Sequence, residues 1–390
     1  MKVVGMICEF NPFHRAHEEQ LRLCRGEDAA MVCVMSGNFV QRGDFAICRK
    51  HVRAAAALQG GADLVLELPT PYAVSSAETF ARAGVELLNA CGVVEEMVFG
   101  SECADTEKLL RAADALADER FLPLLREKYE SGCSFAAARE AALFDLIGAD
   151  SAVLHAPNDI LGVEYCKALL QTQSAIVPRA VPRIASAHDG VNSAKDLRER
   201  IARGEQPDGL TEEMAQEYEK ERAADRAPVL AGAAERAILA RLRSMQERDF
   251  AAYDSGNEGL YHRFYEVSRT ARSIEELLSG VKSKRYAYAH LRRMLLSVFL
   301  HLPADEAQKP IPYLRVLGST GRGREILRRM QKDALLPIVT KPADARRISP
   351  RAAELMVCEA RCTDLYTLAY PDLAAADGGA EWRQSAIVLP

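Results

Sequence analysis

An open α/β sheet of parallel strands followed by a mainly α-helical region is the fold class the sequence predicts. Two observations predict it. Through about residue 185, short continuous apolar runs alternate with helix-length segments, as βαβ units require. After about residue 190 the strand-like runs give out and charged, helix-length segments take over.

Val3–Cys8, Ala30–Met35, Asp63–Leu68, Met97–Phe99 and Ala152–Ala156 read as buried strands, because they are too continuously apolar to be half exposed. Between them His17–Arg25, Lys50–Gln59, Ser75–Cys91, Glu107–Leu116 and Pro123–Ser131 have helical length, and Gly60-Gly61 supplies a stop for the second. Crossovers of this length return the chain to a parallel neighbour, right-handedly. An open doubly wound sheet follows, and such sheets take ligands at the carboxyl ends of their strands. Beyond it, Ser193–Arg203, Thr211–Arg226 (capped by Thr211), Leu230–Met245, Leu260–Thr270, Ser273–Leu278 and Arg285–His301 predict helices. The expected organisation is an α/β domain over residues 1–190 and a mainly helical basic domain over 191–390, its last twenty or so residues a loose tail.

Composition excludes several classes. With 48% hydrophobic and 27% charged residues the chain is ordinary globular material, and no apolar run reaches the roughly 18–20 residues that cross a bilayer. Met1-Lys2 runs straight into the first strand with no signal-peptide pattern, so a cytoplasmic protein with no membrane partner is expected. The ten cysteines contain no Cys-x-x-Cys pair, Cys358 and Cys362 stand alone, and Cys8, Cys33 and Cys48 lie in apolar or strand-like runs. Reduced, structural cysteines and no protein metal site are expected. The net charge of −5 conceals a segregation: residues 281–347 hold fifteen Lys/Arg against five Asp/Glu, leaving −15 for the remainder. A basic window of +10 is the footprint of a polyanion partner.

The strongest local signal is Glu9-Phe10-Asn11-Pro12-Phe13-His14-Arg15-Ala16-His17, between the first strand and the first helix. Backbone N–H groups and a helix N-terminus meet there, which suits an anion. His14 and His17, three apart, project to one side of the first turn and can donate to phosphate oxygens. Nucleotidyl transfer needs such donors around the α-phosphate and the leaving pyrophosphate. The competing reading is a zinc pair, which lacks convincing third and fourth ligands nearby.

Asn11-Pro12-Phe13-His14-x-x-His17 resembles the His-x-Gly-His signature of the nucleotidylyltransferase superfamily, with Ala16 in place of the glycine. Further blocks extend the likeness in chain order: Met35 to Asp44, Phe99-Gly100-Ser101-Glu102, Pro157 to Tyr165, Pro182-Arg183 and Lys282-Ser283-Lys284-Arg285-Tyr286. Together they resemble the tRNA(Met) cytidine acetate ligase family from Val3 to about Glu325. The resemblance implies a Rossmann-like nucleotidyltransferase domain and a two-step activity. ATP, as a substrate with Mg²⁺, activates acetate as an acetyl-adenylate; the acetyl group then passes to N4 of the wobble cytidine of elongator tRNA(Met), without acetyl-coenzyme A. It also implies ATP contacts from Ile7, Cys8, Glu9, Phe10, Asn11, Pro12, Phe13, His14, His17, Gln20, Gly100, Asn158 and Arg183, with His14 and His17 catalytic.

Each position has a plainer alternative. Gly100 could be a turn glycine, Asn158 a helix N-cap and Arg183 a surface arginine. Gln41, Arg42 and Asp44 follow the second strand and are candidates for the acetate and acceptor pocket, or merely soluble loop residues. Lys282, Lys284, Arg285, Tyr286, Arg292 and Arg293 are candidates for tRNA contact, on a stretch expected to open a helix with bases stacked on tyrosine. The same helix packs Leu295, Leu296, Val298 and Phe299 against a core, so its basic face could be only solvated surface. Arg322, Arg324, Arg328 and Arg329 form a second basic cluster. Two other functions compete: a small-molecule nucleotidyltransferase, which leaves the basic second half unexplained, and an RNA-binding module with a degenerate nucleotide site, which does not account for intact Asn11, His14 and His17.

Overall fold

The computed structural model describes the chain except residues 27, 133, 184–192, 206–207 and 255–258. The strands in chain order are β1 (Lys2–Cys8), β2 (Ala29–Ser36), β3 (Phe39–Val40), β4 (Asp44–Phe45), β5 (Leu64–Leu68), β6 (Glu96–Ser101), β7 (Val177–Pro182), β8 (Leu314–Ser319), β9 (Ile338–Val339) and β10 (Ile387–Val388). Eight form one sheet in the order β10-β8-β5-β2-β1-β6-β7, with β9 beside β8, while β3 and β4 make a separate hairpin. The path from β5 to β7 is parallel, as expected. From β1 the chain steps outward to β2 and β5, then crosses back to lay β6 and β7 on the other side. The switch point therefore lies between β1 and β6.

Both faces of this sheet are covered, which explains the continuous apolar runs. Along β2, Ala30, Val32 and Val34 enter one core while Met31, Cys33 and Met35 enter the opposite one. A third core belongs to the helices of the second half, including Phe264, Leu278 and Leu295, and it also takes Phe39 and Phe45 from the β3–β4 hairpin. The hairpin thus docks the α/β region onto the helices. The nine described cysteines are free thiols, most of them buried.

Several expectations are corrected. Ala152–Ala156 is not a strand: Gly148–His155 forms a 3-10 helix that leads into the helix Pro157–Gln171. The parallel strand beside β6 is instead β7, whose Pro178 and Pro182 are tolerated because it is an edge strand. The helix expected over Ser75–Cys91 is present as Ala77–Ala90, capped by Ser76, and a separate helical turn, Thr70–Ala73, precedes it. Leu230–Met245 divides into a 3-10 turn, Ala231–Ala234, and the α-helix Glu235–Ser244. Thr211 caps Glu212–Ala223 as expected, its Oγ1 accepting from the Met214 N–H at 3.2 Å.

The C-terminal residues are not a loose tail. Ala380–Arg383 is a helical turn and β10 pairs with β8, which itself runs antiparallel to β5. The reason is a buried ion network. Lys50 Nζ lies 2.7 Å from both Glu67 Oε1 and Glu381 Oε2, and each of the three side chains is essentially inaccessible. Arg315 Nη2 reaches Glu381 Oε1 at 3.5 Å. Thr363 Oγ1 donates to Glu381 at 2.8 Å. Burial alone would raise the Glu381 carboxyl; Lys50, His51 and Arg315 override it and pull it down to about 2. Glu381→Ala leaves Lys50 and Arg315 short of counter-charge in the core. The expected loss is about 3–5 kcal/mol of unfolding free energy; a urea titration showing less than about 1 kcal/mol would remove this network from the list of what holds the C-terminus.

Candidate active site

The site begins with Arg53, a fully buried arginine on the helix Lys50–Gln59. Its guanidinium donates to the carbonyls of Glu9, Gly37, Ser36 (3.1 Å) and Cys48 (3.1 Å). These carbonyls lie just past or at the carboxyl ends of β1 and β2 and at the start of that helix. The two loops that carry the candidate residues are thereby fixed at their roots.

The first loop leads into the helix Arg15–Arg25 with His14 at its N-cap position. The His14 carbonyl accepts from the N–H groups of His17 (2.8 Å) and Glu18 (3.1 Å). That turn brings the His14 and His17 rings together on one side, as the spacing predicted, with centroids 3.8 Å apart and planes tilted by 31°. Phe10 and Phe13 flank His17 at 5.1 and 6.0 Å. Phe10 takes a left-handed backbone (φ 47°), a conformation that costs a non-glycine residue roughly 1 kcal/mol or more and is held here by burial of its ring. Asn11 is committed to shaping this loop: its Oδ1 accepts from the Ile47 N–H at 2.8 Å, and its carbonyl accepts from Arg198 at 2.7 Å. Ile7 packs on Gly84 and Phe13 on Gly60, where an added Cβ would lie 2.4 Å from each side chain. Their side chains, like that of Cys8 (Sγ to Val34 O at 3.7 Å), brace the loop. Pro12 follows a cis peptide bond.

Across the switch point, β6 delivers the other rim. A Cβ on Gly100 would lie 3.0 Å from Gln20 Nε2 and 3.2 Å from Arg183 Cγ, so the glycine permits these two side chains to converge. Asn158 is not an N-cap; Ala156 holds that position, and the Asn158 amide donates to Glu102 Oε1 at 2.5 Å. Arg183 Nη1 approaches the same oxygen at 3.4 Å. Burial would raise the Glu102 carboxyl, but these partners and the Asp159 N–H hold it below the usual range. Asp159, buried, accepts from Ser101 Oγ at 2.5 Å and from the Glu102 N–H at 2.8 Å. Gln20, Gly100, Asn158 and Arg183 therefore form one cluster, organised by Glu102 and Asp159. Both organisers lie inside blocks singled out in the sequence, yet nothing in the sequence pattern pairs them.

The second loop carries Gln41, Arg42 and Asp44. The Gln41 N–H donates to Glu9 Oε1 at 2.7 Å and its amide to Ser75 O at 3.2 Å. Arg42 is exposed. Burial raises the Asp44 carboxyl, against the pull of the Phe45 N–H, Arg292 and Arg198. Gly43 (φ 75°) lies so close to the helix Tyr288–Leu300 that a Cβ would meet the Arg293 nitrogen at 2.5 Å.

The basic window behaves differently from expectation. Lys282–Tyr286 does not open a helix; it lies between Ile274–Val281 and Tyr288–Leu300. Lys284 and Arg285 are exposed there, Lys282 Nζ donates to Ser283 O (2.6 Å), and Tyr286 stacks on His290 with centroids 5.5 Å apart. Arg292 is exposed and faces Asp44 at 4.0 Å, while Arg293 is turned inward. Other charges in the window serve the fold: Arg315 is buried, Arg324 holds the Leu389 carbonyl (2.7 Å) and Arg329 the Met1 carbonyl (2.9 Å). Arg322 and Arg328 are exposed.

A family model described as HIGH Nucleotidyl Transferase matches residues 1–381. The tRNA(Met) cytidine acetate ligase of Fervidobacterium nodosum is 32% identical, with 100% of both chains covered. That of Caldanaerobacter subterraneus subsp. tengcongensis is 36% identical over 96% of this chain and 97% of its own. The chain belongs to the tRNA(Met) cytidine acetate ligase family. The crystal structure of Thermotoga maritima TmcAL bound with alpha-thio ATP matches it with a TM-score of 0.93 at 32% identity over the whole of both chains. The fold is thus that of the family, including the strands supplied by the second half.

Gly43 provides a direct check on how the second loop is held. Gly43→Ala places a side chain at positive φ against helix backbone, and the expected destabilisation is about 2–3 kcal/mol. An equilibrium unfolding curve displaced by under about 0.5 kcal/mol would mean that the loop is not packed on this helix.

Proposed function

We propose that the protein is an ATP-dependent acetate ligase acting on elongator tRNA(Met), in the cytoplasm. One observation carries the reading: His14 and His17 lie together at the carboxyl end of β1, across the switch point from the Gln20, Gly100, Asn158 and Arg183 cluster. Ligands of open parallel sheets bind in that crevice. Full-length similarity to enzymes named tRNA(Met) cytidine acetate ligase supports it.

In the first half-reaction an acetate oxygen attacks the α-phosphorus of ATP, and the bond to the β-phosphate oxygen breaks. Pyrophosphate leaves and acetyl-adenylate remains. His14 and His17 donate to the oxygens that gain charge, and Mg²⁺ enters with the nucleotide as part of the substrate. The Arg183 guanidinium is suited to grip a phosphate by its planar fork. In the second, N4 of the wobble cytidine attacks the acetyl carbonyl, the nitrogen loses a proton and AMP leaves. No step uses acetyl-coenzyme A. The base must be splayed from its stack to reach the crevice, which suits an anticodon loop. Gln41, Arg42 and Asp44 line the approach, and Lys282, Lys284, Arg285, Tyr286, Arg292 and Arg293 belong to the RNA side, with helices of residues 191–390 as its platform.

Incubation with ATP, labelled acetate and bacterial tRNA should yield labelled N4-acetylcytidine on nuclease digestion and mass spectrometry. Pyrophosphate release with unlabelled RNA would move the acceptor elsewhere, and absence of any ATP turnover would leave only a binding module. His14→Ala and His17→Ala should each lower the rate at least about 100-fold, the usual scale for losing a donor to developing charge. Wild-type turnover in both folded variants would refute their role.

A further inference from the structure

Behind the Gln41–Asp44 loop lies a second cavity, of about 150 Å³, between the helix Tyr288–Leu300 and the start of the helix Ala77–Ala90. Its polar lining includes Ser76, Thr79, His290, Arg293, Ser297 and Gln308, on a wall otherwise largely apolar. This is too small for a nucleoside, since sites for such ligands run to roughly 300 Å³ and more. It is ample for one phosphate group.

Three features of the lining suit an oxyanion. Arg293 is mostly buried, and among the described residues no carboxylate lies within ion-pair distance; its described hydrogen bond is a long one, 3.5 Å from Nη1 to the Gln41 carbonyl. Burial alone lowers its pKa, to about 10, with no anion opposing the shift. A guanidinium held in this way is costly unless a counter-ion joins it. The second feature is the N-terminus of a fourteen-residue helix at the same cavity. Ser76 Oγ accepts from the Thr79 N–H at 3.2 Å, while the first N–H groups of the helix, at Ala77 and Glu78, lie outside its own ladder and carry the positive end of its dipole. Third, His290 is turned to the neutral form by burial and by Arg293, against the weaker pull of Asp254, and a neutral imidazole can still donate one hydrogen bond.

We infer that this pocket binds an oxyanion the size of one phosphate group, and that its natural occupant is a backbone phosphodiester of the RNA acceptor. The inference rests on the tRNA reading above. The pocket adjoins the acceptor-side loop through Gln41, whose amide donates to Ser75 O and whose carbonyl accepts from Arg293. Exposed Arg292 lies beside Arg293 on the same helix, and Tyr286 stacks on His290, which lines the cavity. A strand led past Arg292 would set one phosphate on Arg293 and the helix N-terminus, fixing the register of the nucleotide that enters the crevice.

The test uses the full chain and the variants Arg293→Gln and Arg293→Lys. Binding of tRNA is measured across a salt series. Separately, melting is followed with and without inorganic phosphate, with the nucleotide site filled by a non-hydrolysable ATP analogue. Arg293→Gln should weaken tRNA binding about tenfold and flatten the log–log salt slope by about one, the change expected for one lost phosphate contact, while Arg293→Lys keeps most of both. Phosphate should raise the melting temperature of the wild type and not that of Arg293→Gln. An unchanged salt slope in folded Arg293→Gln overturns the RNA assignment, and equal phosphate shifts in both proteins overturn the pocket. A wild-type chain that binds no tRNA defeats the functional reading instead, which the phosphate shift distinguishes.

Discussion

Both candidate loops depend on one guanidinium. Arg53 is wholly buried and its four described partners are all main-chain carbonyls, from Glu9, Ser36, Gly37 and Cys48. Burial depresses its pKa, yet arginine stays charged in proteins, so the carbonyl dipoles must stand in for a counter-ion. The arrangement suits a place where three chain segments end together and their carbonyls would otherwise lack donors. A lysine could not span this set, since its ammonium is a point charge and the planar fork is what reaches several carbonyls at once. Because β1 and β2 deliver the His14 loop and the Gln41 loop respectively, the relation between the two candidate loops is fixed by a residue that belongs to neither.

The second constraint ties the ends of the chain together. Lys50, three residues before Arg53 on the same helix, bridges Glu67 of β5 and Glu381 near the C-terminus. Glu359, on the helix Pro350–Thr367, accepts from both the N–H and the Oγ1 of Thr70. Buried charges of this kind are poor evidence of net stability, because each had to be desolvated. What they do in the structure is join distant parts of the chain: Lys50 and Arg315 tie β5, β8 and the C-terminal turn together through Glu67 and Glu381. One helix, Lys50–Gln59, therefore carries both the clasp that sets the site and the anchor that closes the fold.

What was legible in the sequence follows from this physics. β1, β2 and β5 are buried on both faces and show as continuous apolar runs; the pairing of His14 with His17 follows from helical spacing alone. β7 was missed because an edge strand is free to carry Arg179 and two prolines, and nothing in its composition marks it. β8 was missed for the opposite reason, since its Arg315 is a core residue whose partner lies 66 positions away. Ala152–Ala156 misled because a run of four apolar residues around His155 fits a strand and a 3-10 turn equally. Asn158, Gly100, Arg183 and Gln20 were named through family likeness, but their convergence depends on Glu102 and Asp159, which only tertiary structure pairs. The charge window was the least faithful guide: a formal +10 counted Arg315, Arg324 and Arg329 as surface when they hold a carboxylate and two chain ends.

Those spent arginines sharpen the contrast with the ones near the site. Most described arginines that are drawn into the protein have a carboxylate or several carbonyls: Arg49 pairs with Glu221, Arg139 with Glu164, Arg351 with Glu306, and Arg53 with its four carbonyls. Arg324 and Arg329 reach one chain-end carbonyl each; Arg198 and Arg293 are likewise held by a single described carbonyl, Asn11 and Gln41 respectively, and burial lowers the pKa of both. The Asn11 and Gln41 carbonyls belong to the two candidate loops. Positive charge is thus drawn in beside both loops, with Asp44 and Glu9 opposing the effect of burial at Arg198 and burial alone acting on Arg293. An enzyme that brings ATP and an RNA together has a reason to keep such cations beside its loops, since anionic reactants can supply partners that the fold does not.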